Sequence, residues 1–270
     1  MNRKYPISHW SYSSLVSYLR NPLAWYKRYV ERIYDTPSSP ASLVGRAGHL
    51  ALQHFYGGLS KAAATSLGLE YLRAVPDFEV AFGTHTSVRA RKEKRLAIEA
   101  SYVQAIGFYL ARAPRYRVLG IEVSGTALVE GLPLPIKAIS DLVVESKHIP
   151  GHIDIVDHKF VDSFSPLKED KPLFVLQALF NYYTVYEQFK RPVGSFILQE
   201  CRKRKNKDGS AQMRRYVLKY TDLSDDFLLF KRLVRDATED MRTRKTFLPN
   251  PTDMFDGKDS FEIYRMNLQP

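Results

Sequence analysis

Hydrophobic positions recur at two different spacings along the chain, and the spacing changes near residue 116. Before that point apolar residues return every three or four positions, which predicts helices. After it they often alternate with polar residues in short runs, which predicts strands. The predicted helices cover 11–20, 22–32, 43–58, 61–75, 96–113, 171–190 and 225–245; the predicted strands cover 117–125, 126–131, 135–144, 152–160, 193–201 and 216–220.

This order of elements predicts an α/β or α+β fold, with a mixed central sheet and helices packed on its faces. We expect one domain over residues 1–270. Its parts would be a mainly helical segment at 1–115, the sheet at 116–220, and a C-terminal helix and tail at 221–270.

Two neighbouring strands each carry a carboxylate inside an otherwise apolar run. Asp141 lies in AISDLVV, and Asp157 lies in IVDHKF two residues before Lys159. Side chains alternate along a strand, so Asp157 and Lys159 project from the same face. A hairpin through the loop at 145–151 brings Asp141 within about one residue pair of Asp157. Strand interiors are depleted in Asp, so this convergence needs a chemical or a structural reason.

Metal-assisted phosphodiester hydrolysis is one chemistry that suits these three side chains. Two carboxylates hold Mg²⁺ or Mn²⁺ and leave positions free for water and a phosphate oxygen. An ammonium orients the water or stabilises the developing charge. The alternative is a surface hairpin whose Asp157–Lys159 pair is an exposed ion pair of little energetic value. The motif alone is too short to decide between the two.

Two residues outside the hairpin bear on this choice. His49 lies on a helix with small residues between positions 45 and 51, which allow the helix to approach another element closely. A lone helical histidine is usually a packing residue, but beside a carboxylate pair it becomes a candidate third metal ligand. Gln177 lies inside the helix that follows the hairpin.

The charge balance points to a polyanionic partner. The chain has 40 Lys and Arg residues against 29 Asp and Glu, a formal net charge of +11 and a pI near 9.5. That excess suits nucleic acid, and equally an anionic membrane surface. No apolar run is long enough for a membrane span and no secretory signal precedes Trp10, so we expect a cytoplasmic protein. Cys201 is the only cysteine, which excludes disulfide frameworks and Cys-ligated iron–sulfur clusters within the chain.

Basic residues, some beside aromatic ones, are the candidate nucleic-acid contacts. The aromatic stripe of the second helix is mainly core packing, and the basic stretch at 89–95 is either a solvated helix start or a phosphate-contacting loop. A basic hairpin follows, with its turn at Asp208-Gly209. The candidate contacts are Tyr26, Arg28, Arg89, Arg91, Lys92, Arg202, Lys203, Arg204, Lys205, Lys207, Arg214 and Arg215.

A zinc site in the hairpin is a competing interpretation. Its candidate ligands are His148, His152, Asp154 and His158. Their spacings match no closed zinc pattern and their side chains alternate between the two faces, which disfavours a shared ion.

Five short motifs, in order, resemble the RecB-like exonuclease branch of the PD-(D/E)XK nuclease superfamily over most of the chain. SYSSLVSYLRNPLAWYKRYV resembles the opening helices of that branch, and GRAGH resembles its G-x-x-x-H motif. AISDLVV resembles the strand of the first catalytic aspartate, and IVDHKF is similar to the D/E-x-K strand. LQALFNYY is similar to the Q-x-x-x-Y helix.

The resemblance implies a restriction-endonuclease-like core and a Mg²⁺- or Mn²⁺-dependent enzyme. It assigns Lys159 as the catalytic lysine and places Gln177 near the DNA or the lysine. The implied metal ligands are the side chains of His49, Asp141 and Asp157, with the main-chain carbonyl of His158.

Two departures from the family pattern matter. Asn181 stands where the Q-x-x-x-Y motif has tyrosine, with Tyr182 one position late. Many relatives hold an iron–sulfur cluster through one early and three late cysteines, whereas Asn21 occupies the early position here and the tail contains no cysteine. We therefore expect packing of the tail against the N-terminal helices in place of the cluster, as in phage, RecE-type or mitochondrial single-strand exonucleases.

The motifs and the basic charge together predict a metal-dependent deoxyribonuclease, with exonuclease action on DNA ends or single strands favoured. DNA is the expected partner, with no membrane, and a recombination or single-strand-binding protein is a further candidate. A phage-encoded enzyme of recombination or repair would fit. Two alternatives stay open: a non-cleaving nucleic-acid-binding module on the same fold, and an RNA-directed nuclease.

Overall fold

The structure, a computed structural model, describes residues 5–33, 36–165, 174–209 and 211–250. The predicted helix start at 171 and the end of the tail lie outside these ranges. The helices are α1 (Tyr12–Arg20), α2 (Pro22–Trp25), α3 (Pro40–Tyr56), α4 (Lys61–Ala74), α5 (Val88–Ala111), α6 (Val175–Phe189) and α7 (Ser224–Thr243). The strands are β1 (Trp10–Ser11), β2 (Val118–Ala127), β3 (Ile136–Glu145), β4 (Ile153–Val161), β5 (Val193–Arg202) and β6 (Met213–Lys219).

Side-chain caps explain where the N-terminal helices begin. The Ser11 hydroxyl accepts a hydrogen bond from Ser14 N at the start of α1. The Asn21 side chain accepts one from Ala24 N, and Pro22 occupies the first position of α2. Such caps satisfy main-chain donors that have no partner inside the helix. The predicted break at Asn21-Pro22 is confirmed, although α2 passes directly into a π-helical segment, Tyr26–Val30.

Helix α5 begins earlier than hydrophobic periodicity predicts. Ser87 caps it by accepting a hydrogen bond from Ala90 N, so the helix starts at Val88 rather than at 96. The basic residues at 89–95 therefore lie on a helix, and the interpretation of this stretch as a phosphate-contacting loop is wrong. Arg95 donates to the main-chain oxygens of Leu72 and Val75, which closes the end of α4.

The six strands form one mixed sheet. β3 pairs antiparallel with β2 on one edge and with β4 on the other. β5 runs parallel to β4, and β6 pairs antiparallel with β5. The parallel step requires a crossover connection, which contains α6. β1 pairs in parallel with the first two residues of β3.

Strand β2 is continuous from Val118 to Ala127, where the sequence predicts one strand ending at 125 and another beginning at 126. Gly125 pairs with Ala138 inside the ladder, and a Cβ added at Gly125 would lie 3.0 Å from Thr184 of α6. This glycine permits a close approach of helix to sheet and makes no turn. The turn lies beyond the strand, where Gly131 adopts a φ of 82°.

Strands β3 and β4 part in the middle of the sheet. Their ladder runs from Glu145↔Ile153 to Leu142↔Val156 and goes no further. β4 continues to Val161 beside β5, while the first residues of β3 pair with β1. The two strands therefore form a fork, which opens where Asp141 and Asp157 would make the next pair.

Apolar cores cover both faces of the sheet. Ile153 and Ile155 of β4 pack into a core with α1, α6 and α7, whereas Phe160 contacts the core of α3, α4 and α5. Odd and even positions of a strand face opposite sides, so the two cores are separated by the sheet. Among the described helices, none is long and apolar enough to cross a membrane.

The start of the tail packs on the N-terminal helices, as expected from the missing cysteines. The ring of Phe247 stacks on Tyr26 at 4.6 Å and lies 5.7 Å from Trp25. The main-chain oxygen of Leu248 accepts a hydrogen bond from Leu23 N. Aromatic packing thus joins the two ends of the described chain.

Candidate active site

The fork between β3 and β4 brings the two predicted aspartates together. Beyond Val156 the main chain of β4 has lost its partner strand on this edge, so its donors need other acceptors. His158 N donates to Asp141 Oδ2 at 2.7 Å. The side chain of Asp141 therefore lies in the opening, and its carboxylate accepts the hydrogen bond that a partner strand would otherwise accept from β4.

Helix α3 places His49 on the same carboxylate. His49 Nδ1 lies 3.3 Å from Asp141 Oδ2. Gly48 makes this approach feasible, because a Cβ at that position would overlap the ring of Phe160 on β4. Ala47 and Ala51 are also buried. The expectation that small residues bring this helix close to the sheet is confirmed.

Glu122 is a member of the site that the sequence motifs did not single out. The register places it opposite Asp141, between the pairs Ile121↔Leu142 and Val123↔Ser140. Its φ of 48° lies in the left-handed region, which non-glycine residues rarely adopt within a strand. Ligand atoms of His49, Glu122 and Asp141 all lie within 4.8 Å of one another. An acidic residue in the apolar run of β2 was the available signal.

Asp157 is bound from two sides. Lys159 Nζ lies 2.7 Å from its Oδ2, and Gln177 Nε2 on α6 donates to its Oδ1 at 2.7 Å. Asp157 is only 3% exposed. The alternative of an ordinary exposed ion pair is therefore wrong for the carboxylate, although the Lys159 side chain is 40% exposed and reaches the open side of the fork.

The ionisable groups of the fork perturb one another strongly. Burial would raise the pKa of Asp141, but attraction and hydrogen bonding to His49 hold it well below its usual range. Burial raises the pKa of Asp157, with partial opposition from Lys159 and a further increase from Asp141. Burial and repulsion from Asp141 likewise raise the pKa of Glu122. Three crowded acids favour a bound cation, which would relieve this repulsion.

Carboxylate oxygens and a histidine nitrogen form a donor set that suits a divalent metal. Hard oxygen ligands fit Mg²⁺, and the added imidazole also suits Mn²⁺. His49, Glu122 and Asp141 are the group of three candidate ligands found among the described residues. Asp157 lies across the fork, paired with Lys159. The residues present thus fit a metal-dependent hydrolytic site.

Comparison with protein families agrees with this geometry. The family model of the PD-(D/E)XK nuclease superfamily matches residues 9–254, which is most of the chain. The chain belongs to the PD-(D/E)XK nuclease superfamily. Its mixed sheet with flanking helices is the restriction-endonuclease-like fold of that superfamily.

One solved structure shares this architecture. An inferred exonuclease from Eubacterium rectale superimposes with a TM-score of 0.55 at 12% identity, covering 90% of this chain and 85% of the other. At this identity the likeness shows the fold alone. A second structure, SSO0001, covers 83% of each chain at 14% identity and has a TM-score of 0.30, which is too low a TM-score to indicate a shared fold. No curated protein matches the sequence.

His158 of this PD-(D/E)XK protein turns its side chain away from the fork. The imidazole stacks on Tyr56 with ring centroids 5.7 Å apart, and its Nδ1 lies 2.9 Å from the Tyr109 hydroxyl. Burial lowers the pKa of His158 to about 3, so the ring stays neutral. Only its main chain faces the fork, since N–H and C=O of a strand residue point to the same edge.

The competing zinc interpretation has no support in the described part of the chain. Asp154 is buried, with a side-chain hydrogen bond to Ser146, while His148 is exposed. The imidazole of His158 packs between tyrosines. Within the described ranges, the only cluster of three or more suitable ligands is the one at the fork.

Two predicted phosphate contacts in the basic hairpin have structural partners instead. Lys203 is 4% exposed and its Nζ lies 2.8 Å from Asp162 Oδ2. Arg202 donates to the main-chain oxygen of Asp162 and to Asn206. These contacts stabilise the hairpin, so the assignment of Lys203 to DNA contact is not supported. Arg204, Lys205 and Lys207 are exposed.

Arg214 and Arg215 point to opposite faces of β6, because side chains alternate along a strand. Arg214 pairs in register with Glu200, which pairs with Lys159, so Arg214 shares the Lys159 face. Its guanidinium lies 4.5 Å from the centre of the Phe164 ring. Of these two arginines, only Arg214 lies on the face of the sheet that carries Asp157 and Lys159.

The remaining candidates are distributed over helices. Tyr26 is packed against Phe247, which leaves it little freedom to stack a base. The guanidinium of Arg28 lies over Tyr29 at 5.9 Å. On α5, Arg89 pairs with Glu93, Arg91 lies 5.6 Å from the Phe82 ring, and Lys92 is exposed.

Proposed function

We propose that this PD-(D/E)XK protein is a Mg²⁺- or Mn²⁺-dependent deoxyribonuclease that acts on DNA ends or single strands, with exonuclease action favoured. The observation that carries the proposal is the fork itself. It joins a His49–Glu122–Asp141 ligand group to the Asp157–Lys159–Gln177 group. The net charge of +11 supports a polyanionic substrate.

His49, Glu122, Asp141 and Asp157 would hold the metal, together with the main-chain carbonyl of His158. A divalent ion bound there would lower the pKa of an attacking water and neutralise charge on the scissile phosphate. His49 must be neutral to act as a ligand. Its contact with Asp141 holds the imidazole ring in place before a metal binds.

Lys159 has the geometry of a catalytic lysine in this proposal. Burial would lower its pKa, but Asp157 and Asp141 raise it, so the side chain stays protonated. The ammonium is held by Asp157 and still reaches the open side of the fork. It can therefore donate to a phosphate oxygen or hold the attacking water. Gln177 is a positioning residue that fixes Asp157 from α6.

The test is cleavage of end-labelled single-stranded DNA, duplex DNA, covalently closed single-stranded circles and RNA with Mg²⁺ or Mn²⁺. The proposal predicts loss of linear DNA, intact circles and no cleavage in EDTA. Cleavage of circles would identify an endonuclease, and preference for RNA would identify the RNA-directed alternative. Saturating binding of DNA without cleavage under any metal condition would leave the non-cleaving module as the correct function.

A further inference from the structure

A cavity of about 360 Å³ adjoins the fork beside the metal site. It lies between β1, the first turn of α1, the start of β3 and α6. Gln177, which donates a hydrogen bond to Asp157, also lines this cavity, so one side chain borders both the cavity and the candidate active site. The lining side chains used below are His9, Ser11, Lys137, Gln177 and Asn181.

Asn181 is a buried donor without a partner. The residue is 2% exposed, and its Nδ2 has no hydrogen-bond partner among the described residues. A buried amide without a partner costs free energy, so an acceptor from a ligand is the expected complement.

Positive charge and the N-terminus of α1 border the same space. Lys137 lines the cavity, and burial together with its ammonium lowers the pKa of the neighbouring His9. Ser11 caps Ser14 N, which leaves the earlier N–H groups of α1 without partners inside the helix. The N-terminus of a helix favours anions, and α1 spans Tyr12–Arg20.

We propose that this cavity binds a phosphate group of the nucleic-acid substrate next to the scissile phosphate, with Lys137 and Asn181 as its ligands. The inference rests on the proposed function, since it places a second substrate phosphate beside the reacting one. The phosphate is either an internal diester or a terminal monoester. Both offer the same anionic oxygens to an ammonium, an amide and a helix N-terminus.

The test measures binding of short single strands in a Lys159→Ala background with Mn²⁺, so that cleavage does not interfere. Each strand carries one neutral methylphosphonate at a different position, and a parallel set has or lacks a terminal phosphate. Lys137→Gln should weaken binding about tenfold and lower the salt slope by about one phosphate contact. Lys61→Gln, which removes an exposed charge outside the cavity, is the control.

The decisive result is non-additivity. If Lys137 binds an internal phosphate, Lys137→Gln should have no further effect on the strand that is neutral at that phosphate. If it binds a terminal phosphate, the effect should vanish on strands that lack one. Equal effects on every strand, or none on any, would overturn the proposal. Asn181→Asp should weaken binding further by repulsion, with thermal unfolding confirming that it folds.

Failure of this inference is distinguishable from failure of the proposed function. If Lys137→Gln binds and cleaves like the wild type while the wild type degrades DNA, only the cavity assignment is wrong. If the wild type cleaves nothing, the nuclease proposal is wrong, whatever the cavity binds.

Discussion

At the residue scale, one strained backbone position, Glu122, adds the third member to the group of candidate ligands at the fork. Glu122 adopts a left-handed conformation within β2 and lies opposite Asp141. Backbone strain of this kind costs on the order of 1–3 kcal/mol and persists where the surrounding structure imposes it. Here it accompanies an acid whose ligand atom lies within 4.8 Å of those of His49 and Asp141.

Glu122→Gln should therefore weaken metal binding. The substitution keeps the shape and removes a charge, so the Mn²⁺ concentration for half-maximal cleavage should rise about tenfold or more. The measurement is a Mn²⁺ titration of cleavage rate. Glu130→Gln, an exposed acid just beyond β2, should leave the titration unchanged. Identical curves for Glu122→Gln and wild type would remove Glu122 from the ligand set.

Asp154 provides a second prediction at this scale, about stability and pH. Burial raises its pKa above the ordinary 3.8, although hydrogen bonds from Ser146 and Ser195 oppose the shift. Its Oδ1 has no hydrogen-bond partner among the described residues. Folding therefore favours the protonated carboxyl of Asp154. The stability that this group contributes is fully present below its pKa in the unfolded chain, and it is lost as pH rises through its pKa in the folded protein.

Asp154→Asn removes this loss. Relative to wild type, the variant should gain about 1 kcal/mol in free energy of unfolding between pH 4 and pH 7. Urea unfolding at both pH values measures the difference. A gain that is equal at the two pH values, or a loss confined to pH 7, would show that Asp154 is not held in an unfavourable charged state.

At the element scale, the position of α3 decides whether His49 reaches the fork. Gly48 contacts the ring of Phe160, and no atom lies within 4 Å of a Cβ added at Gly45 on the same helix. Alanine at Gly45 would therefore change only the helix propensity of α3, whereas alanine at Gly48 would also change the distance between α3 and β4.

Gly48→Ala should push α3 away from β4. We expect a loss of about 2 kcal/mol in stability, with a fall in cleavage rate because His49 moves with the helix. Gly45→Ala should be neutral or stabilising by up to about 1 kcal/mol, since alanine favours helix more than glycine. Thermal unfolding and cleavage assays on both variants make the comparison. Equal behaviour of the two variants would mean that α3 does not depend on this contact.

At the scale of the whole molecule, local patterns predicted much of the fold and three of the side chains that meet at the fork. Asp141 and Asp157 were recognised as acidic residues inside apolar strands. Lys159 was recognised because side chains two residues apart on a strand share a face. Glu122 was missed because its role depends on strand register and on a backbone conformation that no spacing encodes. The burial of Lys203 against Asp162 is a tertiary contact that a run of basic residues does not indicate. The start of α5 was missed because the Ser87 cap precedes its apolar stripe.

Elements on both faces of the sheet contribute side chains to the fork. α3 brings a ligand from one side of the sheet, and α6 brings Gln177 from the other. β3 and β4 supply the carboxylates where their pairing ends. Packing of Phe247 on Trp25 and Tyr26 joins the segment after α7 to α2 and the residue that follows it.

The catalytic role of the fork is tested by the single-turnover cleavage rate of a labelled DNA strand, measured for wild type and Lys159→Ala with saturating Mn²⁺. We expect the rate to fall by at least about 100-fold in Lys159→Ala, while the affinity for the strand changes by less than about threefold. The reason is that the ammonium acts on the reacting phosphate and contributes only one of many contacts to the strand. Cleavage by Lys159→Ala at the wild-type rate would contradict the assignment of the fork as the catalytic centre.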